Sequence, residues 1–453
     1  MTRLTARARP RAALSVDLRW AIGLFLLAAG LRLVFVITVT RPTFPGGGTL
    51  PFNDMLFYHD TARALADGRG YISFDGQPTA RWPPAFPFLL SLVYRVAGAK
   101  PGAGEAMNAL LGAMTVPLLY LVALRSFGRP AAKVAGVALA LFPGQILMAE
   151  GILAETLYTF VLVGVLALLV TLPDRRWAAA ALGVAVGVAA LTRGEGLALL
   201  LVPPLVWWGT LPRRELALRT GAMLAATLVV VTPWVIRNAV EVDSFVGIST
   251  NSSQTFWAGH NENAYGGATY PRGAFLREVT RLPREGFEVE QARLLRKDAL
   301  DWMVHHPLGE LTLIPRKLVY LNVGDSRAIQ VGVTNAERQR KLGAPVVAGI
   351  APVVTDDAQA GVLMGTIADV GWYGLLAVTV LALVILGRRL WRTPATRASI
   401  VVIATALVLY GFVFYGNFRY RMPLEPLMIL LAAPLLAVAW ESRRELRQSR
   451  PAS

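Results

Sequence analysis

The stretch WAIGLFLLAAGLRLVFVITV, residues 20–39, holds a single charge, Arg32, in an otherwise apolar run. About 20 such residues cross a bilayer core as a helix. Within that core only helices and closed barrels satisfy every backbone N–H and C=O group. AAKVAGVALALFPGQILM (131–148) and LYTFVLVGVLALLVTL (157–172) repeat the pattern. A large soluble protein with an apolar core does not need runs of this length. The chain is 55% hydrophobic and only 16% charged, against about 25% charged in soluble domains. It reads as an all-α polytopic membrane protein.

The formal net charge of +16 is carried mostly by arginine. Nucleic-acid binding would need that charge gathered on a soluble face. Here it gathers between the apolar runs, as cytoplasmic loops require, so membrane lipids rather than nucleic acid are the expected surroundings. Cysteine is absent, which excludes disulfides, thiolate metal sites and a cysteine nucleophile. The N-terminal MTRLTARARPRAALSVDLRW resembles the n-region of a signal peptide, but the run behind it is too long for an h-region. An uncleaved first span with an inside tail is expected.

Arg3, Arg7, Arg9, Arg11 and Arg19 place the N-terminus in the cytoplasm,. Further basic clusters lie at Arg125/Arg129/Lys133, Arg175/Arg176, Arg213/Arg214/Arg219, Arg388/Arg389/Arg392/Arg397 and Arg443/Arg444/Arg447/Arg450. With each cluster inside, the crossings between clusters come in pairs. Spans fall near 20–40, 105–124, 131–149, 153–171, 178–192, 196–211, 217–236, 366–386, 398–415 and 423–440. That is about ten spans with both termini inside. The short, proline-led stretch 84–98 is expected to lie in the interface. Residues 1–19 and 441–453 form basic cytoplasmic tails around a membrane domain, 20–440. Two large segments then fall outside, 41–104 and 237–365. Within the second, FLREVTRLPREGFEVEQARLLRKDALDWMVHHP spaces its apolar residues as a solvated amphipathic helix. LGELTLIPRKLVYLNVG is either a further span or an interfacial helix, and Pro315, Arg316 and Lys317 favour the interface.

The usual motifs are missing. There is no GxxxxGK[ST], GxGxxG after a strand, HExxH or GxSxG, and His59, His260, His305 and His306 lack metal-ligand spacing. Gly183 and Gly187 form a small-xxx-small pair suited to close helix packing. What stands out is polar groups at the outer edges of spans. Asp54 and Asp60 follow the first span; Glu150 and Glu155 sit in AEGILAET, Arg193 and Glu195 in LTRGEG. Arg237 and Asn238 close PWVIRN, while Arg419 and Arg421 lie in FRYRMPLEP. Outside loops carry charges for solubility alone. Taken together, however, carboxylates and arginines converge on one face of a bundle. Guanidinium groups pair bidentately with phosphate oxygens, a carboxylate can act as general base, and the spans can hold a lipid tail. The composition suits a lipid-phosphate ligand with its head group outside.

In order, these pieces are Asn53-Asp54 with Tyr58, LADGRGY, RWPPAFPFLL, AEGILAETL, ALTRGEGL, PWVIRN and FRYRMPLEPL. Their sequence and spacing resemble the GT-C membrane glycosyltransferases, nearest the bacterial relatives of the protein O-mannosyltransferases and the lipid A aminoarabinose transferase. The resemblance runs over about 20–440 and is thinnest across 270–365. It implies a GT-C bundle with interfacial helices and outer loops, in the plasma membrane, that moves a sugar from a polyprenyl-phosphate donor to a glycan, lipid or protein acceptor on the extracytoplasmic side.

By position, the family's acidic residue after the first span matches Asp54, the implied base. Where the family often shows a second adjacent acid, this chain has Asn53. The second acidic site matches Glu155 best, then Glu150. The implied reaction is a single displacement with inversion, with Arg419 and Arg421, joined by Arg193 or Arg237, neutralising the leaving phosphate. Asn53, Tyr58, Trp82, Trp257, Tyr265 and Asn261 are candidate sugar or acceptor contacts, although interfacial belts supply Trp and Tyr in any case. No cofactor is required; a divalent ion at Asp54, Asp60 and Glu155 is the alternative. Two rival functions remain, a flippase or transporter for the same lipid and an envelope-assembly scaffold. A transporter would place ionisable residues at mid-membrane depth.

Overall fold

The computed structural model describes residues 11–39, 53–173, 175–283, 286–324, 326 and 358–448. In chain order its α-helices are α1 (Arg11–Val39), α2 (Asn53–Ala66), α3 (Ala85–Ala97), α4 (Pro101–Phe127), α5 (Arg129–Leu141) and α6 (Pro143–Leu147). Then come α7 (Ala154–Thr171), α8 (Trp177–Thr192), α9 (Val202–Trp207) and α10 (Arg213–Glu241). The segment after α10 holds α11 (Asn251–Ala258), α12 (Gly273–Thr280), α13 (Phe287–His305) and α14 (Pro307–Leu321). The chain closes with α15 (Ala358–Leu390), α16 (Pro394–Val408), α17 (Phe418–Arg421) and α18 (Glu425–Gln448). The all-α expectation holds among the described residues.

Of the expected spans, seven are helices long and apolar enough to cross a membrane. The other three are shorter or broken. Pro143 lacks the N–H that would continue α5, so the 131–149 run divides after Leu141, with Phe142 in an extended conformation. The 178–192 run is the 16-residue α8. The 196–211 run begins as a 3-10 turn, Gly194–Leu201, before α9.

Lipid tails are as apolar as leucine, so helices in a bilayer associate through close packing rather than hydrophobic transfer. Small residues accordingly line the seams between α1, α4 and α5, where Ala28, Ala113, Ala123, Ala132 and Ala140 are buried. The Gly183 seam lies against α10: a Cβ there would stand 2.2 Å from the Met223 carbonyl oxygen, and Thr227 Oγ1 donates to the Gly183 oxygen at 2.9 Å. By contrast α10 and α15 present Val229 and Val384 outward, 74% and 76% exposed, the faces that lipid covers. Arg32 lies fully buried inside α1, where its guanidinium donates to the carbonyls of Ala28, Leu139 and Ala140. It thereby ties α1 to the end of α5.

The Arg129 and Arg219 ion pairs fall at one end of the bundle and Glu155 at the other. Arg129 of α5 pairs with Asp17 of α1 at 2.8 Å, and Lys133 sits over the Trp20 ring. Arg219 of α10 pairs with Glu215 at 2.9 Å and donates to the Pro173 carbonyl just past α7. Glu155 begins α7, so the length of that helix, about 27 Å for 18 residues, separates it from this basic end.

The long amphipathic helix expected in the outer segment is two helices. Leu282-Pro283 stops α12, and Gly286 in the left-handed region (φ 67°) starts α13. His305 and His306 are exposed at the end of α13. The stretch around Pro315 is α14, too short to be counted among the apolar spans.

Candidate active site

Four of the expected site residues meet through charge, from four separate parts of the chain. Glu155 stands in the first turn of α7, where the helix N-terminus favours a carboxylate,. The turn before it is pinned from α4 by Asn108, whose amide donates to the carbonyls of Gly151 and Leu153. Arg419 lies in α17, a short helix capped by Asn417, whose side chain accepts from the Arg419 N–H at 3.0 Å. Arg193 follows α8, and Asp54 opens α2.

Glu155 is the hub. Its Oε1 accepts from Arg419 Nε at 3.0 Å, and it lies 2.7 Å from Arg419 Nη2 and 3.0 Å from Arg193 Nη1. Arg419 Nη2 also reaches Asp54 Oδ2 at 3.1 Å. On the far side Arg193 Nε meets Glu195 Oε1 at 2.5 Å, which in turn accepts from the Tyr410 hydroxyl at 3.0 Å. Exposure grades along the chain of charges. The Glu155 side chain is 1% exposed and that of Asp54 is 26%, so Asp54 is the end that solvent or a ligand reaches.

An aromatic wall completes the site. The Tyr410 and Tyr420 rings stack at 4.9 Å, Arg193 lies 5.0 Å over Tyr420, and the Tyr420 hydroxyl donates to that of Tyr415 at 2.7 Å. Tyr58, on α2, packs edge-on against Phe86 and beside Trp82. Burial, then the Asp54 and Glu155 charges, raise its phenol well above the ordinary value, so it stays protonated. A narrow crevice lined by Tyr158, Glu195, Leu199, Val402, Tyr410 and Leu424 runs from this wall into the bundle.

Other expected site residues lie elsewhere. Arg421 is buried with Glu425 (2.5 Å), donates to the Val323 carbonyl and stacks 3.6 Å over Trp372. Arg237 donates to the carbonyls of Thr79 and Tyr71 at 2.6 and 2.9 Å, latching the loop between α2 and α3 to the end of α10. That loop is also held by Glu288 of α13, which accepts from Thr79 Oγ1, Ala80 N and Thr250 Oγ1. Trp257 is 3% exposed, stacks on Phe275 and donates to Asp298 at 2.7 Å, so its ring belongs to the small core shared by α11, α12 and α13. Asn261 is equally buried and organises its own turn through Trp257, Asn263 and Thr269.

Trp82 keeps its place beside Tyr58. The side chains of Asn53 and Glu150 lie outside the described residues. Tyr265 is half-exposed and meets Tyr320 edge-on. Sequence reasoning missed Tyr270, 59% exposed, with Asp54 and Arg419 close enough to act on its phenol. Its GGATY context carries no signal.

A cation already stands between the two carboxylates, the Arg419 guanidinium. Asp60 is six residues from Asp54 on α2, about 240° around the helix, where its charge acts on His59 and Tyr94. Among the described residues no three carboxylates or imidazoles gather as a ligand set.

Residues 81–236 match the family model described as dolichyl-phosphate-mannose-protein mannosyltransferase. The fold is similar to that of the Archaeoglobus fulgidus oligosaccharyltransferase solved with zinc and sulfate, with a TM-score of 0.52 at 15% identity over 94% of this chain and 49% of that one. It is similar also to AglB of the same organism, solved with an inhibitory peptide and a dolichol-phosphate (TM-score 0.50, 15% identity, 96% of this chain and 52% of that one). The chain therefore spans about half the length of these structures. ArnT from Cupriavidus metallidurans bound to undecaprenyl phosphate matches at a TM-score of 0.43 and 18% identity, over 93% and 78% of the two chains. No curated protein matches in sequence. The resemblance to GT-C membrane glycosyltransferases is borne out at the level of the fold and of residues 81–236.

Proposed function

We propose that this chain, whose fold is that of the GT-C membrane glycosyltransferases, transfers a sugar from a polyprenyl-phosphate donor to an acceptor hydroxyl at the extracytoplasmic face of the plasma membrane. The observation that carries the reading is the Arg419 guanidinium held between Asp54 and Glu155 at the bundle's less basic end. A family match over 81–236 and a similar fold solved with a dolichol-phosphate support it.

The roles follow from exposure. Glu155, buried and bound by two arginines, is the fixed anchor that orients both guanidinium groups. Asp54 holds Arg419 through one contact only and is the more open partner. A donor phosphate entering beside Arg419 competes with Asp54 for that guanidinium. The carboxylate is thereby released toward the acceptor. Asp54 then takes the proton as the acceptor oxygen attacks the anomeric carbon, the bond from that carbon to the phosphate oxygen breaks, and the phosphate leaves against Arg419 and Arg193. Attack opposite the leaving group inverts the anomeric carbon. Positioned general bases contribute roughly 10²–10⁴ in rate, and donors aimed at developing charge a further 10²–10³ or so each.

The test is transfer from a panel of radiolabelled polyprenyl-phosphate sugars by the purified protein, with the anomeric configuration of the product assigned. Transfer with inversion from at least one donor supports the reading. Retention, or movement of intact donor across a vesicle membrane without transfer, overturns it.

A further inference from the structure

A second buried cluster of titratable groups lies outside the site, where the outer segment meets the broken end of α16. His260 follows α11 and is 1% exposed, with Phe256 alongside its ring. Its Nδ1 lies 2.7 Å from Glu310 Oε2 of α14. A carboxylate only accepts, so Nδ1 carries a proton. The Nε2 atom faces two groups with opposite demands: the Val413 carbonyl oxygen at 3.1 Å, which needs a donor, and Lys317 Nζ at 3.3 Å. Lys317 is itself 1% exposed and 4.0 Å from Glu310. Trp302 of α13 is the remaining neighbour of Glu310.

A neutral imidazole with Nδ1 protonated offers Nε2 only as a lone pair. It then accepts from a Lys317 ammonium and leaves the Val413 carbonyl without a bond from it. An imidazolium beside a neutral Lys317 amine donates to both Glu310 and Val413. The two arrangements hold the same number of protons, so one proton is mobile between Nζ and Nε2. If the cluster loses that proton, His260 keeps its Nδ1 bond to Glu310 and Nε2 has no proton to offer the Val413 carbonyl.

What the cluster holds leads directly to Arg419. Val413 ends a π-turn, Leu409–Val413, at which α16 stops. Three residues on, Gly416 donates to the Gly266 carbonyl at 2.9 Å and lies so near α14 that a Cβ would stand 1.8 Å from the Lys317 carbonyl oxygen. Asn417 then caps the helix of Arg419.

We infer that His260, Glu310 and Lys317 are positioning residues, a latch that fixes residues 413–417, and through them Arg419, only while the cluster keeps its mobile proton. Burial pushes Lys317 down to about 8, which places the release on the alkaline side of neutrality. Burial would raise Glu310, but the His260 hydrogen bond and the Lys317 charge hold it below its ordinary value, so it remains the acceptor throughout. The consequence for transfer rests on the function proposed above; the consequence for the backbone does not.

Hydrogen exchange on the full-length protein in detergent tests it, following the peptide that covers 413–417 from pH 6.5 to 9.5 with the intrinsic rate divided out. In the wild type, protection should fall several-fold, as loss of one hydrogen bond implies, as pH rises through about 8. His260→Gln should make protection independent of pH, and Lys317→Met should move the midpoint, while peptides of α4 stay protected in all three. Protection independent of pH in the wild type, or one midpoint common to all three proteins, overturns the latch. If protection behaves as expected and the pH profile of transfer does not follow it, the role given to Arg419 fails instead.

Discussion

Arg419 Nη2 stands 2.7 Å from Glu155 Oε1 and 3.1 Å from Asp54 Oδ2, so one guanidinium joins a buried acid at the start of α7 to a more open acid at the start of α2. The fork also sends Nε to Glu155 Oε1 at 3.0 Å, a second parallel contact that an ammonium at the Nη2 position does not make,. Arg419→Lys keeps the charge and loses the geometry. Transfer by this variant is expected to fall roughly 100-fold, in kcat more than in KM, as when one preorganised donor is removed. Steady-state kinetics with a donor accepted by the wild type checks this.

Glu155 has the opposite character. It is 1% exposed and faces Arg193 and Arg419 together. Glu155→Gln leaves two buried guanidinium groups without their common counter-ion, at a cost of roughly 3–5 kcal/mol. A large drop in thermal stability in detergent is expected beside the loss of transfer. Equal stability of variant and wild type would show that water already screens the hub.

Arg421 and Glu425 behave as a structural pair. They are 2% and 0% exposed and 2.5 Å apart, with Trp372 over the guanidinium and Gln145 on the Glu425 carboxylate. Either single change, Arg421→Met or Glu425→Leu, should reduce the yield of folded protein. The double variant should recover much of it, since replacing both partners by apolar groups is often neutral. Folded double variant should retain transfer; loss of transfer at full stability would return Arg421 to the phosphate.

With Arg419 standing where a bridging ion would sit, transfer is expected to proceed unchanged after EDTA treatment. Activity lost to EDTA and restored by one divalent ion would contradict the arginine-based account.

The fold was largely legible because apolar run length and the placement of arginine between runs are local properties. Asp54, Glu155, Arg193 and Arg419 were also legible as candidates, since charge at the end of a span is conspicuous. Their partners were not, because Glu155 and Arg419 are 264 residues apart in sequence. Arg421 carried a missed local signal: Glu425 follows at i+4, the spacing that pairs charges on one helix face,. The break between α12 and α13 was also written in the sequence, at Leu282-Pro283, but charge alternation across it read as one helix. Nothing local marked Trp257 as core or His260 as bound to Glu310. Both depend on how the outer segment folds back on α16.

The central claim is that Asp54 takes the acceptor proton, and Asp54→Asn tests it most directly. The substitution keeps the size of the side chain and removes the base. Single-turnover transfer and donor binding should be measured on the same preparation. The account predicts transfer lowered by roughly 10²–10⁴, with the variant folded and donor affinity equal or higher, because Arg419 no longer answers to a carboxylate there. Transfer at the wild-type rate would contradict it and leave Asp54 as a partner that merely holds Arg419 in place.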